Sequence, residues 1–322
     1  MPRALVIGDG PAGLLAAITL RRAGWSVQIA AGRPGARPHH RHVHQIAPSV
    51  LTAIERLAGS KLTGWRVADH LWIDSASPAR ALSAPMVDPA ALVAALGWRA
   101  ANVGVTETTP RTNLAAEAWR FDLLVDASGS GVLASRTPTL DVAIDESDVI
   151  DECWSWRGRA ESSGAPWSIA VRDEALALLL TRDESGTCIL TARAMDAPAP
   201  LLDPARLLDR MMVAVGHRWA LRMGDLHLVP GPLRHRAPFA RRIRVTRRAD
   251  GPPLLRIGDG LIQTAPRFGQ GFAQIVEQID AMAPAIAGTR SLQEGIESVE
   301  ASADRRWLTT MMGTAISQTI AA

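Results

Sequence analysis

Lysine is almost missing from this chain of 322 residues: Lys61 is the only one. Tyrosine is absent and phenylalanine occurs four times, against ten tryptophans. Cys153 and Cys188 are the only cysteines, too few for a disulfide framework or a cysteine-built metal cluster, so no metal is expected. A reduced, cytoplasmic setting is the expectation. No apolar run reaches the roughly eighteen residues a membrane-spanning helix needs, so no membrane span is expected. The apolar N-terminus carries Asp9 within it and does not read as a secretory signal. Positive charge is left to arginine, with a formal net charge of +3. Its densest run, from Arg234 to Arg248, has Phe239 as its lone aromatic and so no stacking ladder, and no nucleic-acid partner is expected. A solvated strand edge is the bland account of that run. The functional account is a basic mouth for an anionic substrate, a carrier protein or an acidic partner.

What the chain does have begins at once. The apolar stretch Ala4-Leu5-Val6-Ile7 leads into Gly8-Asp9-Gly10-Pro11-Ala12-Gly13, then an apolar helix from Leu14 to Arg22, and a second strand from Ser26 to Ala30. A strand–glycine turn–helix–strand sequence suits a dinucleotide. Gly8 makes the tight turn, Gly10 lets a pyrophosphate approach the backbone, and Gly13 lets helix and strand pack closely. The anion then meets unpaired N–H groups at the positive end of the helix.

Three further segments carry a resemblance. Leu255-Arg256-Ile257-Gly258-Asp259-Gly260, followed by Pro266-Arg267-Phe268-Gly269-Gln270-Gly271-Phe272 and an apolar helix, resembles the flavin-binding end of FAD-dependent aromatic hydroxylases. Phe121-Asp122-Leu123-Leu124-Val125-Asp126-Ala127-Ser128-Gly129 looks like the D-x-V-V-D-A-S-G segment of the branch holding flavin-dependent halogenases, styrene monooxygenases and polyprenyl reductases. His42-Val43-His44-Gln45, ahead of a helix with Leu51, Ile54 and Leu57, is similar to the segment after the second strand in that branch. The resemblance implies an α/β fold: a Rossmann-type FAD-binding lobe (1–144 plus 249–290), an inserted antiparallel β-rich substrate lobe (145–248), and a C-terminal helical segment (291–322).

It also implies FAD as cofactor, with NAD(P)H or a separate flavin reductase as candidate electron sources. Gly8, Gly10, Pro11, Ala12 and Gly13 would take the ADP half, and Arg41 would reach the pyrophosphate. Gly258 and Asp259 would hold the ribityl chain, the carboxylate accepting from its hydroxyls. Pro266, Gly269, Gln270 and Gly271 would place backbone N–H groups against the flavin ring. The expected reaction is hydroxylation or epoxidation of a small organic substrate through a flavin C4a-oxygen adduct. The alternatives are a polyprenyl-reductase-like reductase or cyclase, and a maturation factor that modifies a side chain of a partner protein. Catalytic residues of the substrate lobe are not assigned.

The chain departs from the pattern in places. Val27-Gln28-Ile29-Ala30-Ala31-Gly32-Arg33 lacks the acid that ordinarily holds the adenosine ribose, a loss of about 1–2 kcal/mol. Met86-Val87-Asp88-Pro89 stands where the family has an arginine, and 104–120 is short for the family's hairpin. Flavin-dependent halogenases relay hypohalous acid through a lysine, whereas Lys61 sits in a turn-like Gly-Ser-Lys-Leu-Thr-Gly segment. Trp154-Ser155-Trp156 and Trp167-Ser168-Ile169 hold only fragments of the halogenase tryptophan signature, which disfavours halogenation. Core packing is the default reading of Trp154, Trp156, Trp167 and Trp219, and a pocket lining the alternative.

Overall fold

The computed structural model describes residues 1–30, 44–63, 65–74, 77–87, 89–108, 119–129, 141–161, 164–172, 176–194, 203–246, 251–264 and 270–321. Among the described residues, β1 (Arg3–Ile7), α1 (Pro11–Arg22) and β2 (Ser26–Ala30) open the chain. They are followed by β3 (His44–Gln45), α2 (Pro48–Ala58), β4 (Trp65–Asp74), β5 (Ser77–Val87), α3 (Pro89–Asn102), β6 (Thr106–Thr108) and β7 (Leu123–Asp126). Strands then dominate: β8 (Asp141–Glu146), β9 (Ile150–Ala160), β10 (Trp167–Arg172), β11 (Leu176–Arg182) and β12 (Thr187–Ala194). After α4 (Pro204–Ala214) and α5 (His217–Met223) come β13 (Leu226–Leu228), β14 (Leu233–Pro238), β15 (Ala240–Thr246) and β16 (Leu254–Arg256). A 3-10 turn over Gly258–Gly260, β17 (Ile262–Thr264), α6 (Gln270–Ile286) and α7 (Leu292–Ala321) complete it. The tail is thus one helix.

Five strands form a parallel sheet in the order β16-β7-β1-β2-β6. Leucine, valine and isoleucine fill it because a parallel sheet is covered on both faces. One face meets α1, α2, α3 and α6 in a continuous core that includes Leu15, Ile18, Ile54, Leu96, Leu123, Ile257 and Ile279. In α6 and α7 the packing is tight enough that a Cβ on Gly295 would stand 2.5 Å from the Ala285 Cβ and 2.7 Å from the Met282 sulfur.

The second sheet has nine described strands, β13-β9-β12-β11-β10-β4-β5-β3 with β14 also pairing β9. It is antiparallel except where β10 lies parallel to β4. It is therefore assembled from both sides of residue 145, since β4 and β5 come before it. Helices α4 and α5 cover one face through Leu207, Met211, Val215 and Met223, against Leu71, Trp156, Trp167, Ile169, Leu180 and Leu190. Trp154, Trp156, Trp167 and Trp219 all belong to this apolar layer, and Trp167 meets Trp219 edge-on at 6.4 Å. Strands β17-β15-β8 form a small third sheet.

Both ends of the large sheet reach the first core. Val87 and Trp65 pack into it at one end. At the other, Val149, Phe239 and Trp307 of α7 cluster together. With α4 and α5 on one face, the other, inner face carries His70, Ser168, Thr181 and Ile189, which are buried.

Candidate functional site

All strands of a parallel sheet end on one edge, and there the chain must turn into helices or loops. Gly8 leaves β1 with φ +112°, and its N–H donates to the Ala30 carbonyl at 2.9 Å. A Cβ on Gly8 would lie 2.4 Å from the Ala127 oxygen, and one on Gly13 would lie 1.9 Å from the Gly8 oxygen. Neither position admits a side chain without moving backbone. Gly10 is different: a Cβ there would meet nothing within 4 Å. Gly10 is also the N-cap of α1, with no side chain capping it, Pro11 starting the helix, and no acid in the first turn. The first-turn N–H groups, including those of Ala12 and Gly13, thus have no side-chain cap and the positive end of the helix dipole behind them. This is the arrangement that accepts a phosphate.

The segment from 121 to 129 arrives at the same edge. The Ala127 N–H donates to the Ile7 carbonyl at 2.8 Å, and the fully buried Asp126 accepts through Oδ1 from the Ser128 backbone at 3.1 Å and its hydroxyl at 2.7 Å. The C-terminal glycine turn joins them. Ile257 N–H donates to the Asp126 carbonyl at 3.0 Å, and a Cβ on Gly258, at φ +62°, would stand 3.1 Å from the Ala12 Cβ. Segments separated by more than two hundred residues in sequence thus meet at one edge.

Asp259 is solvent-exposed, yet protein atoms crowd it on most sides. The crowding makes its charged form costly and pushes the carboxyl up to about 6. On α6, Gly271 repeats the pattern of Gly10: a Cβ there would meet nothing within 4 Å. Gln270 begins the helix. Arg41, Pro266 and Gly269 lie outside the described residues, as do His42 and the positions 31–33 where a ribose-binding acid was sought.

Two residues escaped the sequence reading. Gln278, almost fully buried, accepts from the Gly258 N–H at 2.7 Å through Oε1, and Gln274 donates to the Ile262 carbonyl. Four residues apart on α6, they share one helix face and fasten the strand–turn–strand that carries Asp259. The available signal was a pair of glutamines on the apolar side of a helix. Arg256, also buried, anchors the strand just before the turn: it donates to the Ile243 carbonyl and pairs with Glu300 of α7. Arg242 completes the group by pairing with Asp304 and Glu300.

In the described part of the arginine run from 234 onward, four arginines meet acids, while Arg236 is exposed. Arg234 pairs with Glu152, Arg241 with Glu146, Arg244 with Asp145, and Arg242 as above. The acids that meet these arginines come from β8, β9 and α7. Lys61, its side chain 89% exposed, bonds the buried Glu55 carboxylate at 2.9 Å at the end of α2. Burial raises the Glu55 pKa, but the hydrogen bonds from Lys61 and the Leu62 N–H, with the charge of Lys61, leave it below the usual value.

No family model matches the chain, and no curated protein matches it significantly. Solved structures do. The peptidyl tryptophan dihydroxylase QhpG, essential for tryptophylquinone cofactor biogenesis, is 19% identical, with a TM-score of 0.63 over 94% of this chain and 72% of its own. The flavin-dependent brominase Bmp2 is 16% identical, with a TM-score of 0.67 over 92% and 82%. The protein CtdE, in complex with FAD and a substrate, is 12% identical, with a TM-score of 0.62 over 99% and 88%. The chain shares the fold of these solved structures. At these identities the likeness is one of fold, and the site has to be argued from its own residues. Among the described residues, no helix is long and apolar enough to cross a membrane.

Proposed function

We propose that this chain is an FAD-dependent oxidoreductase that hydroxylates or epoxidises an organic substrate. The observation that carries the reading is the division of labour among the glycines. Gly8 and Gly13 are closed off by backbone, while Gly10 meets nothing within 4 Å at an uncapped helix end, beside the Gly258–Asp259 turn. The residues fit the two ends of an FAD. The α1 amides and Gly10 would hold the pyrophosphate, Gly258 and Asp259 the ribityl hydroxyls, and the start of α6 at Gln270 and Gly271 the flavin ring. CtdE holds FAD on the same fold.

When bound, FAD would supply the electron transfer and the oxygen chemistry. The chain's own contribution is placement and exclusion of water. Backbone amides at the start of α6 would face the ring's electron-rich end, and the inner face of the large sheet would close over the substrate. The electron donor would be NAD(P)H or a separate flavin reductase. A second reading is a maturation enzyme acting on a side chain of a partner protein. It is favoured by the likeness to QhpG, which acts on a peptidyl tryptophan.

Titration with FAD should produce a flavin absorbance shift and quench flavin fluorescence; no change in either would refute the cofactor assignment. With FAD loaded and reduced, turnover of a substrate should consume oxygen and place one labelled oxygen atom from O₂ in the product. Turnover without oxygen would instead promote a polyprenyl-reductase-like reaction. A mass increase on a co-purifying protein would promote the maturation reading.

A further inference from the structure

The Gly258–Asp259 turn is gripped from two sides. From α6, Gln278 holds the Gly258 N–H and Gln274 the Ile262 carbonyl. On the other side stands one residue of β15. The Ile243 N–H donates to the Leu261 carbonyl at 2.9 Å, just after the turn. The Ile243 carbonyl accepts from Nη1 of the buried Arg256, just before it. Both flanks of the turn are thus tied to a single residue, itself buried.

Arg256 is held in turn by α7. Its Nη2 pairs with Glu300 Oε1 at 2.5 Å, while Glu300 Oε2 lies 3.7 Å from Arg242, the residue before Ile243. Arg256, Glu300, Arg242 and Ile243 close a ring. The ring joins β16, at the end of the parallel sheet, to β15 of the small sheet. Only Phe239 separates β15 from β14, which pairs with β9 of the large sheet. The ring therefore stands where the cofactor edge meets the strands leading to the large sheet. Asp304, four residues further along α7, pairs with Arg242 and not with Arg256.

A buried ion pair is a weak source of stability, because desolvating both charges offsets their attraction. What it supplies is direction. A guanidinium donates through a planar fork, so fixing one side of it fixes where its other N–H groups point. Here they point at the Ile243 carbonyl. We propose that Glu300 is the positioning residue of this turn: from α7 it aims Arg256 at β15 and so sets where Asp259 stands for the cofactor. The inference rests on the FAD reading for what Asp259 meets, whereas the hold on the turn does not depend on it.

The test compares Glu300→Ala with Asp304→Ala. Each removes one acid facing Arg242, but only the first frees Arg256. Hydrogen exchange of the FAD-free chain reads the turn itself: the Ile243 and Leu261 amides should exchange at least about tenfold faster in Glu300→Ala than in Asp304→Ala. FAD titration reads the consequence. Affinity should fall at least about tenfold in Glu300→Ala, with a shifted visible circular-dichroism band of the bound flavin, and stay within about twofold of the parent in Asp304→Ala. Glu300→Gln keeps an acceptor for Arg256 and should recover most of both losses. Should Glu300→Ala not fold, Arg256→Met takes its place with the same expectations. Failure of the parent to take up FAD overturns the cofactor reading, and exchange alone then decides whether Glu300 sets the turn. Equal exchange in the two alanine variants, or faster exchange with parental FAD affinity and an unshifted band, overturns the proposal.

Discussion

The two large sheets put their chemistry in different places. In the parallel sheet it gathers at an edge, where β1, β7 and β16 end together and the groups on offer are mostly backbone amides. In the nine-stranded sheet it lies on a face, where the groups are side chains set out by register. An edge site is exacting, because its shape is the path of the main chain. A face site can change one side chain at a time while its strands stay paired. Substitutions at the edge should therefore disturb fold and cofactor together, whereas those on the face should disturb only what binds there.

The sharpest way to break that contrast is within the edge itself. Gly13→Val drives a side chain into the Gly8 carbonyl and should cost about 3 kcal/mol or more, with FAD binding lost alongside. Gly10→Ala meets no protein atom, so its melting temperature should match the parent's, while FAD affinity falls roughly tenfold because the methyl enters space meant for phosphate. Thermal unfolding with and without FAD separates the two. Equal destabilisation by both would mean that Gly10 is packed like its neighbours and would remove the anion site.

A smaller effect is expected at Gln278. Removing its carbonyl in Gln278→Leu strands the buried Gly258 N–H, a cost of about 1–3 kcal/mol. The Gly258–Asp259 turn should loosen, so FAD affinity should fall even though Gln278 lies behind the turn. A variant that loses stability but keeps parental FAD affinity would make Gln278 a core residue with no bearing on the site.

The edge was also the more legible region, for a physical reason. A turn such as Gly8–Gly13 admits few residue types, so its sequence records its geometry. The strand ending at Asp126 and the Gly258–Asp259 turn are legible on the same ground. Pairing in the large sheet is recorded less directly. Nothing local in residues 65–87 announces that β4 will lie parallel to β10, about a hundred residues later, because that contact depends on the fold closing. Gln274 and Gln278 were passed over because polar residues on an apolar helix face acquire a role only when a particular backbone is laid against them. The arginine run stood out in sequence, but Arg234, Arg241, Arg242 and Arg244 meet acids that come next to them only in the folded chain.

The most finely graded comparison is between protonated and ionised Asp259. Crowding raises its carboxyl from 3.8 to about 6, so the FAD-free fold holds this proton more tightly than the unfolded chain does. As pH rises from about 4 to about 6 the unfolded chain ionises first, and the FAD-free protein should lose stability across that window. Because the side chain is exposed to water, the loss should be modest. FAD affinity should run the other way. Only the ionised carboxylate is a full acceptor for ribityl hydroxyls, so binding should strengthen as pH rises through about 6 and weaken by at most about tenfold per unit below it. Asp259→Asn should flatten both curves. The melting temperature of the FAD-free chain and the FAD dissociation constant from fluorescence quenching, each followed from about pH 3 to about pH 8, provide the check. If Asp259→Asn leaves both pH profiles unaltered, Asp259 is a turn residue that the cofactor does not touch, and the ribityl assignment fails while the α1 phosphate site can still stand.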